Sequence, residues 1–299
     1  MLNFSLTDLR YLLALAEEKH FARAAQKCFV SQPTLSIAIK KLEDNLGVTI
    51  FERDNHQILV SPSGAQLIEQ ARKILSESEQ LIQIAKSQQD IYAQPLRIGA
   101  ILTIGPYLFP KLVSQIMTQT PQLKLVVEEN YTNVLLEKLL VGELDILLLA
   151  TEVNHNDLLQ IELGTDELNL ICSTQHALAK SNKIMQKHLT DETFLLLGNG
   201  HCFRDQVIQI CPNCDPQKNK IANLITTSSL ETIKYMVAMN IGVSILPKLA
   251  QHNLPDNLCM KPFSGKTQSR TISLVYRRNF ARKTLIEDIQ QILVTELLL

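Results

Sequence analysis

Short apolar runs alternate with amphipathic runs over the last two thirds of the chain, and this alternation constrains the fold more than any other feature. LRIGA at 96–100 and DILLLA at 145–150 have the spacing of buried strands, and residues 107–120 between them have the spacing of a helix. Strands that alternate with helices form parallel sheets covered by helices. The sequence therefore predicts an α/β domain over residues 93–299.

A second group of strand and helix patterns follows within this domain. The helix pattern is SLETIKYMVAMN at 229–240, and the strand patterns are LNLICS, TFLLLG, NLITTS and GVSILP. Ligands of open α/β sheets bind at the carboxyl ends of strands or between lobes. GAILTIG at 99–105 and LLLGNGHC at 195–202 lie at such positions, so both are candidate site segments.

Residues 1–61 have the pattern of a helix-turn-helix with a β-wing. We predict a helix after the N-cap Ser5, a short helix at 21–27, and a third helix from the cap Ser31 to Gly47. Two short helices around a tight turn are typical of DNA-binding modules. Residues 1–60 hold seven Lys/Arg and seven Asp/Glu, so a three-helix module that only packs or binds protein remains an alternative.

Residues 62–92 are predicted to form one long linking helix. Leu67, Ala71, Ile74, Ser78, Leu81 and Ala85 recur at steps of three and four residues and form one apolar seam. Such a seam needs a partner, either the same helix of a second subunit or the helix's own domain.

The overall composition is that of a globular protein, with 45% hydrophobic residues, 20% charged residues and a net charge of −1. The N-terminus has no basic region followed by a cleavage site, and every long apolar zone is interrupted by charges. We therefore expect a cytoplasmic protein without a membrane segment, and no motif indicates a cofactor.

Three of the six cysteines, Cys202, Cys211 and Cys214, lie close together, and His201 directly precedes the first. Disulfides are rare in the cytoplasm, where clustered thiols are more often catalytic, redox-sensing or metal-binding. Cys28, Cys172 and Cys259 are expected to be small buried hydrophobic residues instead.

Several motifs resemble the LysR-type transcriptional regulators, over essentially the entire chain. FARAAQKCFVSQPTLSIAIKKLEDNLGVTIFER resembles the DNA-binding signature of that family. ILTIGPYLFP, GHCFRDQVIQIC, SLETIKYMVA and RTISLVYR resemble its peroxide-sensing members.

The resemblance implies a winged helix-turn-helix, a dimerising linker helix and a two-lobed regulatory domain of the periplasmic-binding-protein type. It implies a homodimer or homotetramer that binds double-stranded promoter DNA and activates oxidative-stress genes in response to hydrogen peroxide. Its other implied partners are RNA polymerase and a thiol reductant such as glutaredoxin or thioredoxin. It implies that the protein is not an enzyme, that it binds no metal ion and that it has no membrane partner.

The resemblance also assigns residues. The residues assigned to DNA binding are Ser31, Gln32, Pro33, Thr34, Ser36, Lys40, Lys41 and Arg53. The wing at 54–61 is less basic than is usual in the family, so weaker backbone anchoring is expected there. In the regulatory domain, Cys202 would react with peroxide and Cys211 would resolve the product. The residues assigned to binding or activating peroxide are Thr103, Thr132, His201, Arg204, Asp205 and Arg270.

Thiol chemistry and helix geometry lead to two further expectations. The thiolate is the reactive form, so His201, Arg204 and a helix N-terminus beside Cys202 are expected to favour it. If residues 203–210 are helical, Cys202 and Cys211 lie ~13 Å apart along the axis, and the helix must unwind before they can bond. Their disulfide would then act as a conformational switch.

Cys214 is not expected from the family pattern, and three interpretations stay open. It is an exposed spare thiol, an alternative resolving thiol, or part of a zinc site with His201, Cys202 and Cys211. Two other functions compete for the whole chain. One is a LysR-type sensor of a small metabolite, and the other is a thiol peroxidase or disulfide oxidoreductase.

Overall fold

The structure is a computed structural model that describes residues 4–54, 57–87, 92, 94–189, 192–212, 224–252 and 254–298. The described residues form two compact units. One runs to residue 88 and includes 140–143, and the other runs from residue 89 to the end without those four residues. The predicted division of the first unit into a head and a linker stays a prediction.

The first unit begins with the predicted three helices. Its elements are α1 (Leu6–Glu18), α2 (Phe21–Lys27), α3 (Gln32–Leu46), β1 (Phe51–Asp54), β2 (Gln57–Val60) and α4 (Pro62–Ser87). The amide of Asp8 donates to the Ser5 hydroxyl, and the Asp8 carboxylate accepts from the amide of Ser5, which caps α1 in both directions. The antiparallel pair β1–β2 forms the predicted wing.

Helix α4 packs its first half on the helix-turn-helix core. Ile68, Ala71 and Leu75 are buried in the same cluster as Leu12 and Leu35. This contact accounts for the early part of the predicted seam. Further along, Leu81 is 71% exposed and its neighbour Ile82 is 41% exposed, whereas the side chain of Ala85 lies outside the described part of the structure.

The second unit is an α/β domain with a mixed sheet. Its first group is β3 (Leu96–Ile101), α5 (Gly105–Gln119), β4 (Leu125–Asn130), α6 (Thr132–Leu140), β5 (Ile146–Leu149) and β6 (Leu158–Ser173). Its second group is β7 (Phe194–Leu197), α7 (Cys202–Ile210), β8 (Leu224–Thr227), α8 (Leu230–Ala238), β9 (Ser244–Pro247), β10 (Leu258–Lys261), β11 (Ser269–Arg277) and α9 (Lys283–Leu298).

Parallel pairing is confirmed for β3 with β4, β3 with β5, and β7 with β8. The long strand β6 departs from the parallel pattern. Its first part pairs antiparallel with β11, and its last part pairs antiparallel with β9 and β10. β6 therefore runs continuously from the first group of elements into the second.

The second group has its own hydrophobic core, in which α7, α8 and the end of β6 bury apolar side chains. Phe194, Phe203, Val207, Ile233 and Ile245 are almost fully buried there. This core holds the apolar face of α7 in place, so the polar start of that helix has a defined position. Within the described residues, no helix is long and apolar enough to cross a membrane.

Candidate functional site

Cys202 is the first residue of α7 and follows a sharp turn at the end of β7. Gly200 has a φ of +92°, and a Cβ atom there would lie 3.3 Å from the ring of Tyr131. Glycine adopts this left-handed conformation with little strain and leaves room for the ring. The turn delivers His201 and Cys202 to the carboxyl ends of the strands, as LLLGNGHC predicted.

A small cavity lies directly beside Cys202. It is lined from three sides, by Thr103 after β3, by Tyr131 and Thr132 at the start of α6, and by His201 and Cys202. It has about 10 Å³ of room for the centre of a water-sized molecule. That is roughly the space that one water-sized ligand needs.

Two of the residues that line this cavity have buried polar atoms without a partner among the described residues. They are Nε2 of His201 and Oγ1 of Thr132, the latter apart from its contact with the Cys202 thiol. His201 is 6% exposed, and its ring meets the Tyr131 ring edge-on at 4.9 Å. A buried polar atom without a partner is destabilising by about 1–3 kcal/mol, so Nε2 of His201 favours a small polar ligand, which the Thr132 hydroxyl could also contact.

Arg270 is held by a complete set of polar contacts behind the cavity. Its Nη1 donates to the Thr103 hydroxyl at 2.8 Å, and its Nη2 donates to the Thr103 carbonyl at 2.9 Å. Its Nε donates to the Asp166 carboxylate at 3.0 Å. Both charged side chains are almost fully buried, and the second Asp166 oxygen accepts the amide of Leu249 at 2.9 Å. The guanidinium is therefore fixed in position.

The same guanidinium also contacts the residue after Cys202. Its carbon lies 5.2 Å from the centre of the Phe203 ring, close enough for a cation–π interaction. Because Asp166 lies on β6 and Thr103 follows β3, Arg270 connects the start of α7 to both groups of elements. A movement of Phe203 would therefore change the contacts of Arg270.

The electrostatic environment of Cys202 does not favour the thiolate as strongly as expected. Burial raises the pKa of its thiol, and the opposing effects of the Thr132 hydroxyl, the Arg270 charge and the Phe203 amide do not cancel that rise. Burial also lowers the pKa of His201, so the imidazole is neutral near pH 7 and adds no positive charge. Arg270 is therefore the charged group that favours the thiolate.

Arg204 and Asp205 lie on the first turn of α7, and the roles assigned to them stay predictions. Arg204 turns back and donates through Nη1 to the carbonyl of Leu197 at 2.7 Å, which fixes the turn before α7. Asp205 is exposed on the first turn of α7, and its charge raises the pKa of Cys202. Asp166 is the carboxylate that contacts Arg270 among the described residues.

Residues 202–210 are helical, which meets the condition set above for a switch, and Cys211 ends the helix. Cys211 is 2% exposed and disulfide-bonded, whereas Cys202 is a free thiol, so the two are not bonded to each other here. Cys214 and the predictions that involve it lie outside the described residues. Within the described ranges, no group of three or more potential ligand side chains could hold a metal ion.

A larger cleft of about 660 Å³ lies on another side of Arg270 and α7. Its lining is mostly polar and includes Gln160, Gln206 and Gln268. Gln206 donates to the carbonyl of Ala150 at 2.6 Å, and its side-chain oxygen is buried without a partner among the described residues. This cleft has the size of a site for a small organic ligand.

The start of α3 is polar and exposed, as predicted. The Ser31 hydroxyl accepts the amide of Thr34 at 3.3 Å and caps the helix. The assigned residues that are exposed there are Ser31, Gln32, Pro33, Thr34, Lys40 and Lys41, whereas Ser36 is half-buried. Arg53 lies on β1, and its side chain is outside the described part of the structure.

Several residues of these sites were missed by sequence reasoning. Phe29, in the turn before α3, is 96% exposed with a φ of +56°, and Ile37 on α3 is 68% exposed. Because both side chains are apolar, the sequence did not indicate a role for them at the surface. Asp166 and Tyr131 lie in segments with a weak pattern, and only the pairing of Arg270 opposite Asp166 in the β6–β11 register could have indicated the former.

Comparisons with known families cover both units. The family described as bacterial regulatory helix-turn-helix protein, lysR family, matches residues 6–65. The family described as LysR substrate binding domain matches residues 91–297.

Similar proteins cover nearly the full length. A "Hydrogen peroxide-inducible genes activator" of Dickeya chrysanthemi is 38% identical over 91% of this chain and 89% of its own. The structure of a full-length OxyR variant from Pseudomonas aeruginosa is 40% identical with a TM-score of 0.74, covering 98% of this chain and 95% of that chain. An H2O2-bound OxyR mutant of Corynebacterium glutamicum is 30% identical with a TM-score of 0.62, covering 97% and 92%.

Proposed function

The chain belongs to the LysR family of bacterial helix-turn-helix transcription regulators, and on that premise we propose that it senses hydrogen peroxide through Cys202. The observation that carries the proposal is the water-sized cavity at Cys202, with the unpartnered Nε2 of His201 and the Thr132 hydroxyl beside the thiol. Hydrogen peroxide is small and both donates and accepts hydrogen bonds, so it suits both atoms. The names of the similar proteins agree with this ligand.

The proposed reaction begins with the Cys202 thiolate. It attacks one peroxide oxygen, an S–O bond forms, the O–O bond breaks, and the departing hydroxide takes a proton to become water. His201, Thr132 and Thr103 would bind the peroxide. Arg270 would favour the thiolate from behind Phe203, while Arg204 and Asp166 would act as positioning residues. Asp205, which was assigned a supporting role from sequence, has no contact in the described structure that supports this role.

The second proposed step links the Cys202 sulfenic acid to Cys211. The helix α7 spans the two residues, so they lie ~13 Å apart along its axis and the helix must unwind before they can bond. Phe203 would then leave the core and its contact with Arg270. Since Arg270 contacts both groups of elements, this loss would change the regulatory domain as a whole.

The proposed output is binding to double-stranded promoter DNA in the cytoplasm, through the N-terminus of α3. Short polar side chains at Gln32 and Thr34 can approach base edges, and Lys40, Lys41 and Arg53 would contact phosphates. The exposed Leu81 and Ile82 of α4 favour a dimer through that helix, and a homotetramer is proposed from the family resemblance described above. Recruitment of RNA polymerase and re-reduction by glutaredoxin or thioredoxin complete the proposal.

Peptide mapping after one equivalent of peroxide tests the sensor proposal. The protein is first fully reduced, because Cys211 is disulfide-bonded in this structure. We expect a Cys202–Cys211 linkage in the wild type and none in Cys202→Ser. A linkage to Cys214 would assign the resolving role to that residue instead. Unchanged thiols in the wild type would contradict the proposal.

Salt-dependent binding to promoter DNA tests the DNA interface. Lys41→Ala should reduce the slope of log Kd against log salt concentration by about one unit, because one phosphate contact is lost. Lys266→Ala, which removes an exposed lysine of the regulatory domain, is the matched control and should leave the slope unchanged. Equal slopes for all three proteins would contradict the proposed contact.

A second candidate function is the sensing of a small metabolite in the larger cleft. The unpartnered Gln206 oxygen and the size of the cleft favour it. A reporter gene distinguishes the two functions. Induction that persists in Cys202→Ser and is lost in Gln206→Leu would favour a metabolite.

A further inference from the structure

Cys172 and Cys259 form a second thiol pair outside the site described above. Cys172 lies near the end of β6, Cys259 lies on β10, and they are direct partners in the antiparallel register. Their sulfur atoms lie 3.4 Å apart, and both are free thiols. The sequence separates them by 87 residues, so the pair was not predicted.

The backbone at this pair already meets the requirements of a disulfide. The amide of Thr174 donates to the carbonyl of Asn257 at 2.8 Å, which makes these two residues a hydrogen-bonded pair. Because hydrogen-bonded and non-hydrogen-bonded pairs alternate along antiparallel strands, Cys172 and Cys259, two residues away, also form a hydrogen-bonded pair. Cα atoms of such pairs are about 5.5 Å apart, and disulfides have Cα separations of about 4.4–6.8 Å. Closing the sulfur distance by about 1.4 Å needs only small side-chain rotations.

The two thiols differ in access, which gives them different roles. Cys259 is half-buried on β10, a strand at the edge of the sheet, whereas Cys172 is fully buried in the core of the second group. An oxidant from solvent therefore reaches Cys259 first. The buried neighbour is then the nearest nucleophile.

We propose that Cys172 and Cys259 form a reversible dithiol–disulfide couple, oxidised by hydrogen peroxide independently of Cys202. The Cys259 sulfur attacks a peroxide oxygen, so an S–O bond forms and the O–O bond breaks with loss of water. Cys172 then attacks that sulfur, an S–S bond forms, the S–O bond breaks, and the proton of Cys172 leaves with the hydroxide as a second water. Two thiols and one peroxide thus give one disulfide and two waters.

This couple reacts more slowly than an exposed thiol would. Burial first, and the contact with Cys259 second, raise the pKa of Cys172 to about 12. Because the thiolate is the nucleophile, condensation is slow at neutral pH. The couple therefore responds to an oxidant that is present for a long time or at a high concentration, independently of the response of Cys202.

Peptide mapping on fully reduced Cys202→Ser tests the proposal without the first site. The protein is exposed to excess hydrogen peroxide, and separately to diamide, at about pH 9, where thiolates are more abundant. We expect a Cys172–Cys259 linked peptide, loss of both thiols, and their return after dithiothreitol.

Single variants and a third cysteine control this experiment. Cys172→Ser should leave Cys259 as a sulfenic acid that dimedone traps, and Cys259→Ser should leave Cys172 reduced. Cys28, a half-buried cysteine of the first unit, reports general oxidation. Two outcomes overturn the proposal. One is a Cys172–Cys259 dithiol that stays reduced in excess diamide, and the other is a linkage of either residue to Cys211 instead.

Discussion

Cys202 and the pair of Cys172 and Cys259 place thiols in one domain in opposite ways. Cys202 opens a helix beside a cavity, and the proposed partner Cys211 lies at the far end of that helix. Cys172 faces Cys259 across two strands, with 3.4 Å between the sulfur atoms. The first arrangement gives access to a small ligand, and the second gives immediate access to a partner.

The two sites differ in the structural change that formation of a disulfide would require. A bond between Cys202 and Cys211 requires α7 to unwind, because the helix keeps them ~13 Å apart along its axis. A bond between Cys172 and Cys259 leaves the paired strands as they are. A thiol pair can therefore transmit a structural signal only when its reduced fold keeps the partners apart.

The largest expected effect comes from Arg270, which contacts the first site and not the second. Arg270→Met leaves the Asp166 carboxylate buried without its cation, so the free energy of unfolding should fall by about 3–5 kcal/mol. The reaction of Cys202 with peroxide should also slow, since Arg270 lowers the pKa of that thiol. Denaturant unfolding and stopped-flow thiol oxidation measure both effects.

The double variant Arg270→Met/Asp166→Leu is the control for stability. It removes both charges and should recover most of the lost free energy. Oxidation of Cys202 should stay slow in it. A single variant as stable as the wild type would show that the ion pair does not hold the domain as described.

The next effect tests whether α7 limits the first disulfide. Gln209→Pro should destabilise this helix by about 3 kcal/mol, because proline removes a helical hydrogen bond. Linkage of Cys202 to Cys211 after peroxide should then become faster, by up to about 100-fold. Gel-shift kinetics of trapped thiols measure the rate.

Gln209→Ala keeps the helix and is the matched control, with an expected rate close to that of the wild type. The second pair should react at the same rate in all three proteins. If proline accelerates both pairs equally, the distinction between a helix-spanning pair and a strand-paired one fails.

The pH dependence should be about tenfold per pH unit at the first site. Burial raises the pKa of Cys202, so the thiol is protonated at pH 7 and its thiolate fraction increases with pH up to that pKa. At the second site, Cys172 has a pKa of about 12, so condensation accelerates well beyond pH 9. Dimedone trapping should find the Cys259 sulfenic acid near pH 7 and mainly disulfide near pH 9. A rate at Cys202 that does not change between pH 6 and 8 would contradict a raised pKa.

The smallest effect comes from Thr132, whose hydroxyl lowers the pKa of Cys202. Thr132→Val should slow oxidation of Cys202 by about tenfold or less, since one hydrogen-bonding group is lost. Thr132→Ser keeps the hydroxyl and should restore the rate measured by stopped flow. The second pair should not change. Equal rates for the valine and serine variants would show that the hydroxyl is not used.

Local structure followed the sequence closely wherever one element depends on its own residues. The cap Ser31 and the stop at Gly47 bound α3 within one residue of the prediction, and α7 covers 202–210. Capping and helical periodicity act over a few residues, so they can be recognised without knowing the rest of the fold.

The long strand β6 was recognised only in part. Its last six residues were predicted from LNLICS. In residues 158–167, buried and exposed positions do not alternate regularly, because the strand contacts other elements first on one face and then on the other. Pairing with β11 stabilises it, and that partner lies about 100 residues away in the chain. Burial that depends on distant partners leaves no regular period in the sequence.

The sequence by itself determined the helix-turn-helix, the alternation of strands and helices, and the position of Cys202 after a strand. These features depend on short-range periodicity and on residues such as Gly200, whose positive φ other residues adopt only with strain. The motifs also carried the resemblance to the LysR family, which the comparisons confirm.

Only the tertiary structure decided the partners of these residues. It placed Asp166 behind Arg270, left His201 neutral, turned Arg204 back to Leu197, and set Cys172 against Cys259. Each of these facts depends on which segments meet and how far they exclude water. Contact and desolvation arise from folding of the whole domain, so no local pattern could record them.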